Sequence, residues 1–151
     1  MDEEFSHADE HQALLTYQGV VYPWQCDHIG HMNVMWYTSK FDEATWQFFG
    51  RIGLSPASMK ADGRATAAVE QHMKYMAELL PGDLVEVRTH LVELRDKALI
   101  FEHTMYESVS KKLVATSRIT GIHLNAATRK AQVLPDDVKA AASRLDTGGS
   151  L

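Results

Sequence analysis

The spacing of apolar residues along this chain changes character twice, and each change marks an element. Residues 14–22 are rich in β-branched and aromatic side chains and stop at Pro23, which predicts a strand. Over 34–49 the apolar positions Tyr37, Phe41, Ala44 and Phe48 recur at offsets of four, three and four, one stripe on a helix. Asn33 suits the N-cap of that helix, and Gly50 or Gly53 can end it. Residues 55–61 predict a short helix capped by Ser55 with Pro56 at its first position.

After Asp62-Gly63 a period of two takes over. Residues 64–79 predict a long strand closed by the turn Pro81-Gly82-Asp83. Over 83–94 the alternation puts Val85, Val87 and Leu91 on one face, and over 98–110 it does the same for Leu99, Phe101 and Met105. His103 shares that second face and is expected to be a core histidine with its hydrogen bonds satisfied. Polar tripeptides at 95–97 and 110–112 have hairpin length, so these strands should form an antiparallel meander with 113–124. Residues 135–145 predict a terminal helix. The order of strand, helix and four strands predicts an α+β fold in which an antiparallel β-sheet wraps around a long central α-helix. The outer face of such a half-apolar sheet is often covered by subunit association, so a homodimer or a dimer of dimers is expected.

Composition narrows the class. At 151 residues the chain suits one domain, expected over 13–146, with an acidic leader at 1–12 and a flexible tail at 147–151. Five of the 20 acids (Asp2, Glu3, Glu4, Asp9, Glu10) lie in that leader and account for the whole excess over the 15 Lys and Arg. With no basic surplus and no basic cluster, a nucleic-acid partner is not expected. No apolar run approaches the roughly 20 residues of a membrane span, and the first residues do not read as a secretory signal. A single cysteine, Cys26, cannot form an internal disulfide and suits a reducing, cytoplasmic setting.

The chemistry concentrates in Asp27-His28-Ile29-Gly30-His31-Met32-Asn33, directly before the central helix. There the first-turn amides of Val34, Met35 and Trp36 lack intrahelical acceptors, a partly positive surface where a developing oxyanion would fit. Asp27 is the candidate base or nucleophile; His31 and Asn33 are candidates to orient water or a carbonyl. A metal held by Asp27, His28 and His31, and a Cys26 nucleophile, are the rival chemistries; neither a metal nor another cofactor is expected. Glu70 and His72 share a face of the long strand, where they would either be solvated or complete a site across a subunit boundary.

Asp27-x-x-Gly30-His31-x-Asn33-x-x-x-Tyr37, Phe41-x-x-Ala44 and Tyr75-x-x-x-Leu79-x-Pro81-Gly82-Asp83 together resemble the hotdog-fold acyl-CoA thioesterases of the 4-hydroxybenzoyl-CoA thioesterase type. Val34 stands where that family usually has a second asparagine. A narrower run, Tyr22-Pro23-Trp24-x-Cys26-Asp27-His28-x-Gly30-His31-Met32-Asn33-Val34-Met35-Trp36-Tyr37 with Lys40-Phe41-Asp42-Glu43-Ala44, resembles the betainyl-CoA thioesterases of bacterial carnitine breakdown. The resemblance implies hydrolysis of a short acyl-CoA at Asp27, His31, Asn33 and the Val34 amide, with betainyl-CoA the favoured substrate. Another short or aromatic acyl-CoA, or acyl-CoA binding without turnover, are the alternatives. Trp24, Trp36, Tyr37 and Trp46 are expected to line the acyl site, because aromatic faces hold a trimethylammonium group. For the CoA phosphates, Arg64, Arg88, Arg95, Lys97 and Arg118 stay open.

Overall fold

A computed structural model describes residues 13–146; the leader at 1–12 and the tail at 147–151 lie outside the described residues. Nine elements follow in order: β1 (Leu14–Val20), a single 3-10 turn (Pro23–Gln25), α1 (Val34–Arg51), α2 (Pro56–Ala61), β2 (Arg64–Tyr75), β3 (Leu84–Leu94), β4 (Ala98–Glu107), β5 (Leu113–Asn125) and α3 (Asp136–Asp146). The strands make one antiparallel sheet in the order β1-β3-β4-β5-β2. The expected meander is its centre, and the long second strand is one edge.

α1 lies on one face of this sheet and buries Tyr37, Phe41, Ala44, Phe48 and Phe49. Near its start the core holds Val21, Met32, Leu79, Val85, Val87, Met105 and Val114; near its end it holds Ile52, Leu54, Leu91, Leu99, Phe101 and Ile119. Of the two glycines that could end the helix, Gly53 does so, with φ +86 just past Ile52. A buried lysine ties the helix to the sheet edge: Lys40 Nζ donates to Tyr17 Oη at 3.0 Å and to the Val20 carbonyl at 3.4 Å. Burial lowers the Lys40 pKa and raises that of Tyr17.

His103 is fully buried, stacked on Phe41 with ring centroids 5.7 Å apart. Its Nδ1 lies 2.6 Å from Thr89 Oγ1 and its Nε2 lies 2.8 Å from Thr45 Oγ1, so both ring nitrogens are partnered as expected.

Two strand ends fall short of their sequence expectations: β4 stops at Glu107 rather than 110, where the Glu107 amide donates to the Lys112 carbonyl at 2.9 Å across the turn, and β2 stops further short. The long strand ends at Tyr75, four residues before Leu79. The amides of both Met76 and Ala77 turn onto the Val114 carbonyl, and the following segment leaves the sheet. Its new partners explain the diversion: the Leu79 carbonyl accepts from the Met32 amide at 2.8 Å, and the Leu80 amide donates to Asp83 Oδ2 at 2.8 Å. Residues 76–83 therefore brace the loop that precedes α1.

Candidate active site

The loop from Gln25 to Asn33 is tied down at several points. The Asp27 amide donates to the His31 carbonyl at 3.1 Å, and the Gly30 amide donates back to the Asp27 carbonyl at 3.0 Å. Gly30 makes this tight turn with φ +96, a conformation that strains other residues. The Asn33 amide donates to the Gln25 carbonyl at 2.8 Å, which closes the loop at its base.

This frame brings Asp27, His31, Asn33 and the start of α1 together. Asp27 Oδ1 accepts from the Ile29 amide at 3.0 Å, and Oδ2 accepts from Asn33 Nδ2 at 3.1 Å. These two donors, the Asn33 amide first, hold the Asp27 carboxyl below the usual carboxylate range, so it is ionised at neutral pH. Asn33 works in both directions. While its Nδ2 holds Asp27, its Oδ1 accepts from the Met35 amide at 3.1 Å as the helix N-cap.

Three first-turn amides were expected to be free, and two have acceptors. Met35 N–H is capped by the Asn33 side chain, and Trp36 N–H donates to the Asn33 carbonyl at 3.0 Å. Only the Val34 amide donates to no group among the described residues. It stands at the positive end of an 18-residue helix, next to the residue that grips Asp27.

His31 Nε2 lies 3.0 Å from Glu78 Oε2. Glu78 carried no signal in the sequence, because the alternating pattern ran through it as if the strand continued. Neighbouring His28 is exposed, and among the described residues no three His, Cys, Asp or Glu side chains converge in a way that could hold a metal ion. Cys26 Sγ donates to the Tyr22 carbonyl at 3.8 Å.

The aromatic residues do not form one cage. Trp24 is 67% exposed and stacks face to face on Tyr22, with centroids 4.3 Å apart. Trp36 packs against the core near the start of α1. Tyr37 is buried edge-on to Tyr75, and its hydroxyl donates to the Ala77 carbonyl at 3.4 Å. Trp46 departs furthest from the expectation. It sits thirteen residues past Asn33 on the same helix, a displacement of about 20 Å at 1.5 Å per residue, so it does not join the Asp27 loop of its own chain. It lines a separate cavity between α1 and β2.

Of the candidate phosphate ligands, Arg64, Arg88, Arg95 and Arg118 are engaged with Asp62, Glu86, Glu93 and Glu102. Lys97 has no ion-pair partner among the described residues.

A sequence profile of the thioesterase-like superfamily matches residues 21–142. A betainyl-CoA thioesterase of Pseudomonas aeruginosa is 32% identical over 114 residues, 76% of this chain and 72% of that protein. An Agrobacterium fabrum protein named L-carnitine dehydrogenase/betainyl-CoA thioesterase is 28% identical over 120 residues, 80% of this chain but 24% of that longer protein. Among solved structures, a Staphylococcus aureus protein in complex with CoA superposes with a TM-score of 0.84 at 20% identity, covering 92% of this chain and 88% of that one. A 1,4-dihydroxy-2-naphthoyl-CoA thioesterase from Synechocystis superposes with a TM-score of 0.77 at 20% identity, covering 87% of this chain and 97% of that one. The sheet wrapped on one long helix is thus the hotdog fold, and the chain belongs to the thioesterase-like superfamily as a thioester hydrolase.

Proposed function

We propose that this protein hydrolyses a short acyl-CoA, with betainyl-CoA as the favoured substrate and glycine betaine and CoA as products. The observation that carries the reading is the pairing of an ionised Asp27 with the unengaged Val34 amide at the start of α1. In the proposed reaction the thioester carbonyl oxygen receives the Val34 N–H, so charge developing on that oxygen meets a donor at the positive helix end. Asp27 either takes a proton from water as the water attacks the carbonyl carbon, or attacks that carbon itself to give an anhydride that water then opens. In both routes the C–S bond breaks and CoA leaves as the thiol. Asn33 keeps the carboxylate aimed and charged, while His31, oriented by Glu78, positions water or the carbonyl.

The choice of acyl group is supported by the 32% identity with the Pseudomonas aeruginosa betainyl-CoA thioesterase and by the aromatic residues near both ends of α1. A homodimer or dimer of dimers is part of the proposal. Its support is the β2 edge, where residues 68–72 are exposed and Val69, at 58% exposure, has no cover. No helix among the described residues is long and apolar enough to cross a membrane. A cytoplasmic location belongs to the same proposal.

Thiol release from betainyl-, acetyl-, butyryl-, 4-hydroxybenzoyl- and palmitoyl-CoA tests it. A preference for betainyl-CoA is expected; a preference for a neutral acyl group would remove the substrate, and silence across the panel would remove the short acyl-CoA reading.

A further inference from the structure

Lys40, in the second turn of α1, breaks the usual rule for buried charge. It is 2% exposed and forms no ion pair among the described residues. Its ammonium donates only to neutral oxygens, Tyr17 Oη at 3.0 Å and the Val20 carbonyl at 3.4 Å. The Glu43 carboxylate, one turn further on, is exposed and acts on it only from a distance. Burial therefore disfavours the charge, and an apolar side chain would pack here without that desolvation cost. Packing alone does not call for a lysine.

The strand is shaped to receive it. A Cβ on Gly19 would run into Tyr17 Oη, so the missing side chain leaves the place that the phenol occupies. The ring then lies against the ammonium, with Nζ 5.3 Å from its centroid. Beyond the strand the grip continues. Val20 ends β1; the Val21 amide donates to the Asp83 carbonyl at 2.9 Å, and the Val21 carbonyl accepts from the Gly82 amide at 2.8 Å. The same segment holds the Met32 amide through the Leu79 carbonyl at 2.8 Å, and Met32 bridges to Cys26, the neighbour of Asp27. Lys40 itself stands six residues past Val34 on α1, about 9 Å at 1.5 Å per residue. One ammonium thus joins the helix that carries the Val34 amide to the frame that carries Asp27.

We propose that Lys40 is a positioning residue for the thioester site, its bonds to Tyr17 and the Val20 carbonyl setting the separation between the Val34 N–H and the Asp27 carboxylate. The proposal rests on the reading of Asp27 and Val34 given above and goes beyond it by naming what keeps the two in register. A displacement of about 1 Å between reacting groups can cost as much as about a hundredfold in rate, so a brace remote from the chemistry has a measurable effect on turnover.

Two measurements on the full chain test this, with Asp27→Asn run beside the variants. Lys40→Met keeps a flexible unbranched side chain but has no donor. Gly19→Ala leaves Lys40 in place and drives Tyr17 Oη away from it. In the first measurement, steady-state kinetics with the fastest thioester of the panel above, Lys40→Met should lower kcat about tenfold with KM within about twofold, and Gly19→Ala should lower kcat about threefold. The second is amide hydrogen exchange read by NMR without substrate. In both variants the Met32 and Gly82 amides should exchange at least about fivefold faster, while those of Phe101 and Ile119 keep wild-type rates. Unchanged Met32 and Gly82 exchange overturns the positioning role, as does a kcat within about twofold of wild type while Asp27→Asn is silent. Exchange that quickens across the whole sheet overturns it too, since Lys40 would then stabilise the fold at large. If Lys40→Met does not fold, Gly19→Ala decides on the same two measures. Turnover retained by Asp27→Asn would sink the site reading alone, because loosened Met32 and Gly82 amides report the brace without any thioester.

Discussion

Two polar clusters hang on α1, and they are built on opposite terms. At its N-terminus Asp27, His31 and Asn33 sit in an open loop, where N–H donors converge on a carboxylate and keep it charged. About three turns further on, His103 is sealed against Thr45, Thr89 and the rings of Phe41 and Phe101. Its immediate partners are hydroxyls, which can donate or accept but carry no charge. Burial without a countercharge pushes the His103 pKa down to about 3, so the imidazole is neutral. A neutral ring has one N–H and one acceptor, and its hydroxyl chain must order accordingly. Thr45 has one proton and two acceptors within reach, His103 Nε2 and the Phe41 carbonyl. Thr89 is likewise shared between His103 Nδ1 and Thr16. The difference shows what makes a polar residue reactive. Donors that favour the charged form in an open position leave a usable carboxylate, whereas neutral partners in a closed one leave a rigid joint between α1, β1, β3 and β4.

The largest expected effect breaks the open cluster. Asp27→Asn should lower kcat by at least about a hundredfold, with the unfolding midpoint close to wild type, since the side chain is not part of the core. The reciprocal change breaks the sealed cluster: His103→Leu should lower unfolding stability by about 2 kcal/mol, by leaving buried hydroxyls short of a partner, with kcat/KM within about twofold of wild type. Denaturant titration and steady-state kinetics on the two variants decide the matter. If Asp27→Asn unfolds the protein, or His103→Leu silences it, the division of labour is wrong.

Acid sharpens the contrast. In the unfolded chain His103 takes up a proton as pH falls through 6.5, while in the folded chain it resists until about 3. Over that window the unfolded state binds more protons, so this residue's contribution to stability shrinks as pH falls. The stability gap between wild type and His103→Leu should therefore narrow from pH 7 towards pH 3. A constant gap, read from unfolding curves at stepped pH, would mean that the ring takes up its proton as readily in the fold as in the unfolded chain.

How far each cluster could be read in the sequence follows from what holds it. The α1 stripe, the meander and the neighbourhood of Asp27 and Asn33 were legible, because periodicity and a six-residue spacing across one loop are local properties. His103 was legible as a core residue from its strand face, but its partners Thr45 and Thr89 come from an element 58 residues away and one 14 away, and only packing pairs them. Glu78 was hidden because the segment after Tyr75 leaves the sheet for a tertiary contact with Met32 that no local pattern encodes. The three tryptophans looked like one cluster because they fall within 23 residues of sequence. A helix running between Trp36 and Trp46 separates them by about 15 Å, so closeness along the chain did not become closeness in space.

The smallest effect concerns Asn33, where capping and carboxylate control meet in one side chain. Asn33→Ala removes both the Nδ2 donor to Asp27 and the Oδ1 cap on Met35, and should cost about 1 kcal/mol of stability as a lost cap. Asn33→Ser keeps a capping oxygen but has no amide to reach Asp27, so its stability should stay near wild type. Both substitutions take away the first cause of the lowered Asp27 pKa, and both should move the acid limb of kcat/KM to higher pH, because that limb reports the free enzyme's essential base. The serine variant is the decisive one. A wild-type acid limb in Asn33→Ser, measured with any thioester the protein turns over, would reduce Asn33 to a helix cap. A shifted limb at undiminished stability would place Asn33 with Asp27 in the chemistry rather than in the scaffold.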